Sequence, residues 1–251
     1  MNEDISRLNK EKLRDLKLIV FDVDGVLVNR GTNIKQTENF LRLEFKKIAK
    51  KQIEQIKELY KLGLKIDINS GRSLYMLQEI FREILPYVSL TYENGSATWY
   101  EGNIYQYVNS YSLLKDLLNE LSKVKHKNIK GFEPKEFIIT IHCHDRVKEI
   151  EETAKKYDQL YCLWNGEAYD IGIKDKQSKA NGVKKLIELL KIKKNNVLAM
   201  GDNYNDKEML DEAGIKITAD KERVTGDFYI PLNSSKLPAE VLMDKILEEL
   251  K

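Results

Sequence analysis

The chain has 251 residues, of which 42% are hydrophobic and 33% charged. That balance can build and cover a core, so intrinsic disorder and collagen-like or low-complexity architectures are excluded. The 42 basic and 40 acidic residues leave a net charge of +2, so bulk charge gives no support for a nucleic-acid partner. No apolar run approaches the roughly 18 residues of a membrane span, and the N-terminus shows no signal-peptide core. A soluble, cytoplasmic protein without a membrane partner is expected. Cys143 and Cys162 cannot make a disulfide framework and read as buried, reduced thiols.

In chain order, residues 1–17 are charged, with Ile5, Leu8, Leu13 and Leu16 suggesting a short amphipathic lead-in helix. Leu18–Phe21 is an unbroken apolar run ending on Asp22, as suits a strand buried on both faces of a parallel sheet. Residues 29–50 stay open: Leu41, Leu43 and Phe45 alternate like a strand, but the charges also permit helix. A helix over Gln52–Leu62 is stopped by Gly63, and a strand over Leu64–Ile68 runs into Asn69-Ser70-Gly71-Arg72. A helix over Ser73–Leu85, stopped by Pro86, leads to a strand over Val88–Tyr92. This β-α-β-α-β order predicts right-handed crossovers and a parallel sheet.

Then the texture changes. Ala97–Tyr100 and Ile104–Val108 flank a hairpin turn, a helix covers Ser112–Val124, and Phe137–Cys143 is a strand. A helix over Arg146–Tyr157 precedes strands Tyr161–Trp164 and Ala168–Ile173, joined by Asn165-Gly166. The α/β pattern returns with a helix over Lys179–Leu190, a strand over Asn196–Met200 and a helix over Asp206–Ala213. Strands over Ile215–Thr218 and Phe228–Ile230 and a closing helix over Ala239–Leu250 follow. The expected fold is α/β: a doubly wound parallel sheet built from residues 1–95 and 175–251, with an α+β insert over 96–174.

Open α/β sheets bind ligands beyond the carboxyl ends of their strands. Those ends collect Asp22, Asp24 and Gly25, then Ser70-Gly71-Arg72, then Gly201-Asp202-Asn203-Tyr204-Asn205-Asp206, with Lys179 opening the preceding helix. Asp22, Asp24, Asp202 and Asp206 would repel one another unless a cation sat among them, and hard oxygen ligands suit Mg²⁺ bound with a phosphate. Ser70 and the Gly71 amide offer donors to phosphate oxygens, and Lys179 adds a positive charge.

These ordered motifs resemble those of the haloacid dehalogenase-like (HAD) phosphatase superfamily. An insert between the second and third motifs resembles the type IIB, Cof-like cap, a branch that includes sugar and phosphoglycolate phosphatases. Glu93-Asn94-Gly95 also matches that branch. The resemblance implies Asp22 as nucleophile and metal ligand. Asp24 would be general acid/base, with its carbonyl on the metal. Ser70, Gly71, Arg72 and Lys179 would hold the phosphoryl group. Asp202 would ligate Mg²⁺, with Asp206 and Asn205 beside it. It also implies that 96–174 chooses the substrate. Thr218-Ala219 and Leu237-Pro238-Ala239 depart from the usual pattern.

Each motif alone is weak, since Asp and Gly are ordinary turn residues; their order carries the argument. His142-Cys143-His144 lacks the further ligands of a metal site. Phe137, Ile139, Ile141 and Cys143 alternate onto one sheet face, which leaves Thr140, His142 and His144 on the other as candidates to touch substrate. Leu113, Leu114, Leu117, Leu118 and Leu121 form a core stripe, and Trp164 and Tyr169 read as packing aromatics. The expectation is a Mg²⁺-dependent phosphatase for a sugar phosphate or phosphorylated organic acid. A phosphomannomutase-type phosphomutase is the nearest alternative, disfavoured by the compact Gly201–Asp206 loop; a receiver-like domain phosphorylated on Asp22 would need neither insert nor Asp24, and a non-catalytic phospho-ligand sensor would not need both Asp22 and Asp24. Oligomeric state is left open.

Overall fold

The computed structural model describes residues 2–232 and 235–251. The chain divides into two compact units, one of residues 1–31, 46–105 and 178–251, the other of residues 32–45 and 106–177. After a two-residue strand, β1 (Glu3–Asp4), and one helical turn, α1 (Lys10–Leu13), the chain enters β2 (Leu18–Phe21). The second unit then contributes a hairpin of β3 (Asn33–Gln36) and β4 (Leu41–Glu44). The first unit resumes with α2 (Lys50–Lys61), β5 (Lys65–Asn69), α3 (Leu74–Ile80), β6 (Ser89–Tyr92), β7 (Ala97–Tyr100) and β8 (Asn103–Gln106). The body of the second unit is α4 (Tyr111–Leu121), β9 (Ile129–Glu133), β10 (Ile139–Cys143), α5 (Lys148–Ala154), β11 (Leu160–Trp164) and β12 (Ala168–Ile173). The first unit closes with α6 (Lys179–Leu190), β13 (Val197–Gly201), α7 (Lys207–Asp211), β14 (Ile215–Thr218), β15 (Phe228–Tyr229) and α8 (Pro238–Leu250).

The first unit is a nine-stranded sheet in the order β1-β15-β14-β13-β2-β5-β6-β7-β8. Pairings from β1 across to β6 are parallel, and β6–β7 is antiparallel. Every side chain of β2 is buried, as its apolar run requires. Leu18 and Val20 pack with Val183 and Leu186 of α6 and with Met209 and Leu210 of α7. The helix expected through Leu85 ends at Ile80, and a 3₁₀ segment, Arg82–Tyr87, replaces its last turns around Pro86. Proline lacks the N–H that an α-helix needs there.

The expected boundary at 95/96 lies later, at 105/106. The hairpin β7–β8 does not open the insert; it pairs back on β6 and extends the core sheet. With only Glu93–Ser96 between β6 and β7, the neighbouring sheet edge is the one position in reach. The far boundary falls at 177 rather than 174. Gln177 explains it, accepting from Ile173 N at 2.5 Å and donating to Phe137 O at 2.7 Å within the second unit.

The second unit is an antiparallel sheet, β11-β12-β10-β9, with α4 and α5 packed on one face. Ile139, Ile141, Cys143, Tyr169 and Ile171 meet Leu114, Leu117, Leu121 and Ile150 there. Trp164 and Tyr169 pack with ring centroids 4.8 Å apart and planes tilted by 47°. Leu118 is exposed, so the stripe read on α4 is one residue too broad. Strand β9 escaped the sequence reading because residues 125–136 are dominated by charge, Gly131 and Pro134. The segment 29–50 resolves into the hairpin β3–β4, where Phe132 N donates to Gln36 Oε1 at 2.8 Å across to β9. Both cysteines are free; Cys143 is buried, but Cys162 is exposed, contrary to expectation. Among the described residues no helix is long and apolar enough to cross a membrane.

Candidate active site

Asp22 leaves the end of β2 with its N–H on Met200 O of β13, at 3.0 Å. The chain then turns at once, with Leu27 and Val28 N–H groups returning to Val23 O at 3.0 Å. Gly25 is obligatory in this turn. Its φ is 88°, and a Cβ there would lie 2.3 Å from Asp202 Oδ2. Asp202 follows β13, the strand paired to β2, so parallel pairing brings two loops distant in sequence into contact. Asp206 lies one turn further and is fixed by its own loop: Asp202 N and Asn203 N donate to its Oδ2 at 2.9 and 3.0 Å.

Asp22, Asp202 and Asp206 are all buried and offer oxygens within 4.8 Å of one another. Lys179, the first residue of α6, sets Nζ 2.5 Å from both Asp22 Oδ1 and Asp206 Oδ1. Ser178 caps that helix by accepting from Asn181 N at 3.2 Å. Asp24 stands apart from the trio. Its carboxylate takes a two-point bond from Arg72, at 2.9 Å from Nε and 2.6 Å from Nη2. Ser70 is buried after β5, and its Oγ accepts from Arg72 N at 3.2 Å, which shapes the Ser70-Gly71-Arg72 turn. Asn205 is exposed on the late loop.

Burial, and then the charge of Asp206, push the Asp22 carboxyl well above its ordinary range, against the pull of Lys179. Burial alone would lower the Lys179 ammonium, but Asp206 and Asp22 hold it above its usual value, so it is charged. Burial also raises Asp202, opposed by Arg30. Carboxylates crowded this way lack positive charge, and the buried Asp202 Oδ1 has no hydrogen-bond partner among the described residues. A donor set of carboxylate oxygens alone, with one orphaned, fits a hard divalent cation.

Two supports were missed in the sequence. Asn69 donates from Nδ2 to Lys179 O at 3.0 Å, fixing the start of α6 to the end of β5. Glu93, Asn94 and Gly95 all have positive φ, at 48°, 54° and 73°. Within this turn Glu93 N and Asn94 N donate to Arg72 O and Ser70 O, both at 3.1 Å. A Cβ on Gly95 would lie 2.3 Å from Ser178 O. The turn therefore ties the Ser70–Arg72 loop to the helix start that presents Lys179. Glu-Asn-Gly was visible as a motif; nothing in it spelled out that duty. Arg30, whose Nη2 lies 2.5 Å from Asp202 Oδ2, fell in the unread segment.

The residues expected on the open face of the insert separate. His142 is buried, with Nε2 2.8 Å from Glu133 Oε2. Thr140 Oγ1 lies 2.5 Å from Asp170 Oδ1 and accepts from Lys135 Nζ at 2.7 Å. His144 lies past the end of β10, after a register shift between His142 and Cys143. It is exposed, in a groove of about 470 Å³ lined also by Asn33–Gln36, Arg42, Glu44 and Lys130. Simple alternation through a bulge had placed it beside His142.

Comparisons with known proteins identify the family. The profile of the haloacid dehalogenase-like hydrolases matches residues 19–159 and 109–221. The phosphoglycolate phosphatase of Sulfolobus acidocaldarius is 26% identical, over 94% of this chain and 99% of its own. A 5-amino-6-(5-phospho-D-ribitylamino)uracil phosphatase of Bacillus subtilis is also 26% identical, over 87% of this chain and 91% of its own. A solved HAD subclass IIB sugar phosphatase superposes with a TM-score of 0.67 at 18% identity, covering 94% of this chain and 100% of its own. The chain belongs to the haloacid dehalogenase-like hydrolases, in the phosphatase group with a Cof-like, subclass IIB fold.

Proposed function

We propose that the chain is a Mg²⁺-dependent phosphomonoesterase for a small phosphorylated metabolite, a sugar phosphate or a phosphorylated organic acid. One observation carries this reading: a buried strand delivers Asp22 into a cluster where Lys179, at 2.5 Å, holds one of its oxygens and two further carboxylates stand within 4.8 Å. With Oδ1 tied to Lys179, the other oxygen attacks phosphorus. The P–O bond to the leaving group breaks, Asp24 gives that oxygen its proton, and an aspartyl-phosphate forms on Asp22. Water, deprotonated by Asp24, then attacks phosphorus and releases phosphate, restoring both residues. Arg72 aims Asp24 for both proton transfers, while Ser70, Gly71 and Lys179 hold the phosphoryl oxygens. Asp22, Asp202, Asp206 and the Asp24 carbonyl would hold Mg²⁺, which supplies charge neutralisation at the phosphoryl oxygens. Asn205 stands at the rim. Specificity is assigned to the second unit, with Thr140, His142 and His144 as its contact candidates.

A panel of phosphorylated sugars and organic acids, scored by kcat/KM, tests the reading. Activity should vanish in chelator and return with Mg²⁺ but not with Ca²⁺, whose looser coordination misplaces the nucleophile. Asp22→Asn should lower phosphate release more than ~1,000-fold while the protein stays folded. Full turnover in chelator, or turnover by the Asn variant near that of the parent, would refute it.

A further inference from the structure

Among the described residues, three cationic side chains of the first unit meet the aspartates of the candidate site, and they are held very differently. Lys179 is buried between Asp22 and Asp206. Arg72 is buried against Asp24 by two hydrogen bonds. Arg30 is neither. Its side chain is 39% exposed and reaches Asp202, whose own side chain is 1% exposed, through Nη2 alone at 2.5 Å. The bare Cα of Gly25 makes the lane for it, since a Cβ there would lie 3.0 Å from Arg30 Nε. The next residue is Gly31, with φ 113° and open space where a Cβ would be. The side chain of Arg30 thus lies in a gap that the bare Cα of Gly25 leaves open, next to a glycine whose Cβ position is uncrowded.

A guanidinium and a divalent ion that both seek the Asp202 carboxylate repel each other across a few ångströms of low-dielectric interior. Lys179 cannot yield without stranding two buried carboxylates, and Arg72 is itself buried and held to Asp24 by two hydrogen bonds. Arg30 can yield, because solvent is within its reach. We propose that Arg30 is an exchangeable counter-ion of the candidate metal site: it neutralises Asp202 in the metal-free protein, and a divalent ion displaces it toward solvent. Binding of the ion then sets free a cation at the rim of the phosphoryl site. This rests on the metal reading given above. It differs from a fixed positioning role, in which Arg30 would keep Oδ2 while Oδ1 took the ion.

Mn²⁺ titration by calorimetry separates the two roles, using the full chain with Arg30→Ala and Arg30→Gln. Loss of a competing, half-exposed ion pair should tighten Mn²⁺ binding roughly fivefold in both variants. Each variant should melt below the parent in chelator and with it in saturating Mn²⁺, because the contact is already broken in the loaded form. By NMR, one arginine Nη–H₂ group of the parent, missing in Arg30→Ala, should lose exchange protection on Mg²⁺ addition. Unchanged or weaker Mn²⁺ binding in the variants, or that Nη–H₂ group keeping its protection with Mg²⁺, would overturn the proposal and leave the metal reading standing. A parent that binds no Mn²⁺ would overturn both.

Discussion

The two units each carry a buried knot of charge around one lysine, and the knots are built on opposite plans. In the first unit Lys179 stands among Asp22 and Asp206, with Asp202 alongside, and all of them sit in loops or at a helix start beyond strand ends. In the second, Lys135 lies 3.4 Å from Glu133 and 3.8 Å from Asp170, while His142 takes the other oxygen of Glu133. Thr140, His142 and Asp170 belong to strand interiors there, with their positions fixed by β-pairing. In the first knot three carboxylates crowd within 4.8 Å of one another, and Asp202 Oδ1 has no hydrogen-bond partner among the described residues; in the second each acid has a further partner beside Lys135, His142 for Glu133 and the Thr140 hydroxyl for Asp170. A surplus invites a cation and chemistry, whereas a closed network holds a sheet face in one arrangement.

Removing the lysine from each knot is the strongest way to break that contrast. Lys179→Met and Lys135→Met both strand buried carboxylates, so each should cost about 3 kcal/mol or more of stability by denaturant unfolding. Only the first should abolish turnover. Lys135→Met should still hydrolyse a generic aryl phosphate within about twofold of the parent, as such a substrate draws little on remote binding contacts. Equal loss of turnover in both would mean that the second knot, too, serves the reaction.

The contrast also explains what could be read in the sequence. Asp22, Asp24, Lys179, Asp202 and Asp206 were legible because a parallel sheet must place its strand ends together, and the apolar runs at Leu18–Phe21 and Val197–Met200 marked those ends. The second knot was not legible. Glu133 and Lys135 flank Pro134 in a stretch that reads as solvated loop, and only the pairing of β9 with β10 makes them neighbours of His142. Arg30 was invisible for a related reason. It belongs to no periodic element, so nothing local fixes where its side chain goes.

Gly95→Ala tests how rigidly the first knot must be held. The substituent would meet Ser178 O at 2.3 Å from a backbone with φ 73°, so the start of α6 must give way. Misplacing Lys179 by about 1 Å should lower kcat up to roughly 100-fold. The strained φ adds about 1–3 kcal/mol of destabilisation. An alanine variant with parental kcat would show that the turn is a connector only.

His142→Ala is milder. It takes from Glu133 a buried partner at 2.8 Å. If the face carrying His142 reads the substrate, kcat/KM on the preferred metabolite should fall roughly tenfold, the worth of one good hydrogen bond to a charged group. Hydrolysis of the aryl phosphate should barely change. A parallel fall on both substrates would remove His142 from specificity and leave it to the structural network.

Asp67 is the third kind of buried acid, met among the described residues by neither a cation nor other carboxylates, and its change should touch turnover least. It is fully buried within β5 and is answered by hydroxyls alone, Ser89 Oγ at 2.7 Å and Thr91 Oγ1 at 3.0 Å. Its Oδ2 has no partner among the described residues. Burial raises its carboxyl to about 7, and the two hydroxyls only moderate that. The folded protein therefore keeps a proton there that the unfolded chain releases near its ordinary value of 3.8. Stability from this group is fully present below that lower value and is lost as pH rises through about 7, where the curve levels off. Asp67→Asn keeps an acceptor for the hydroxyls and cannot ionise, so its melting temperature should fall less than the parent's between those two pH values. Phosphate release at saturating substrate should stay at the parental rate. A parent and variant whose melting temperatures run parallel across that range would mean that Asp67 is ionised in the fold, and that its charge is met as fully as those of the second unit.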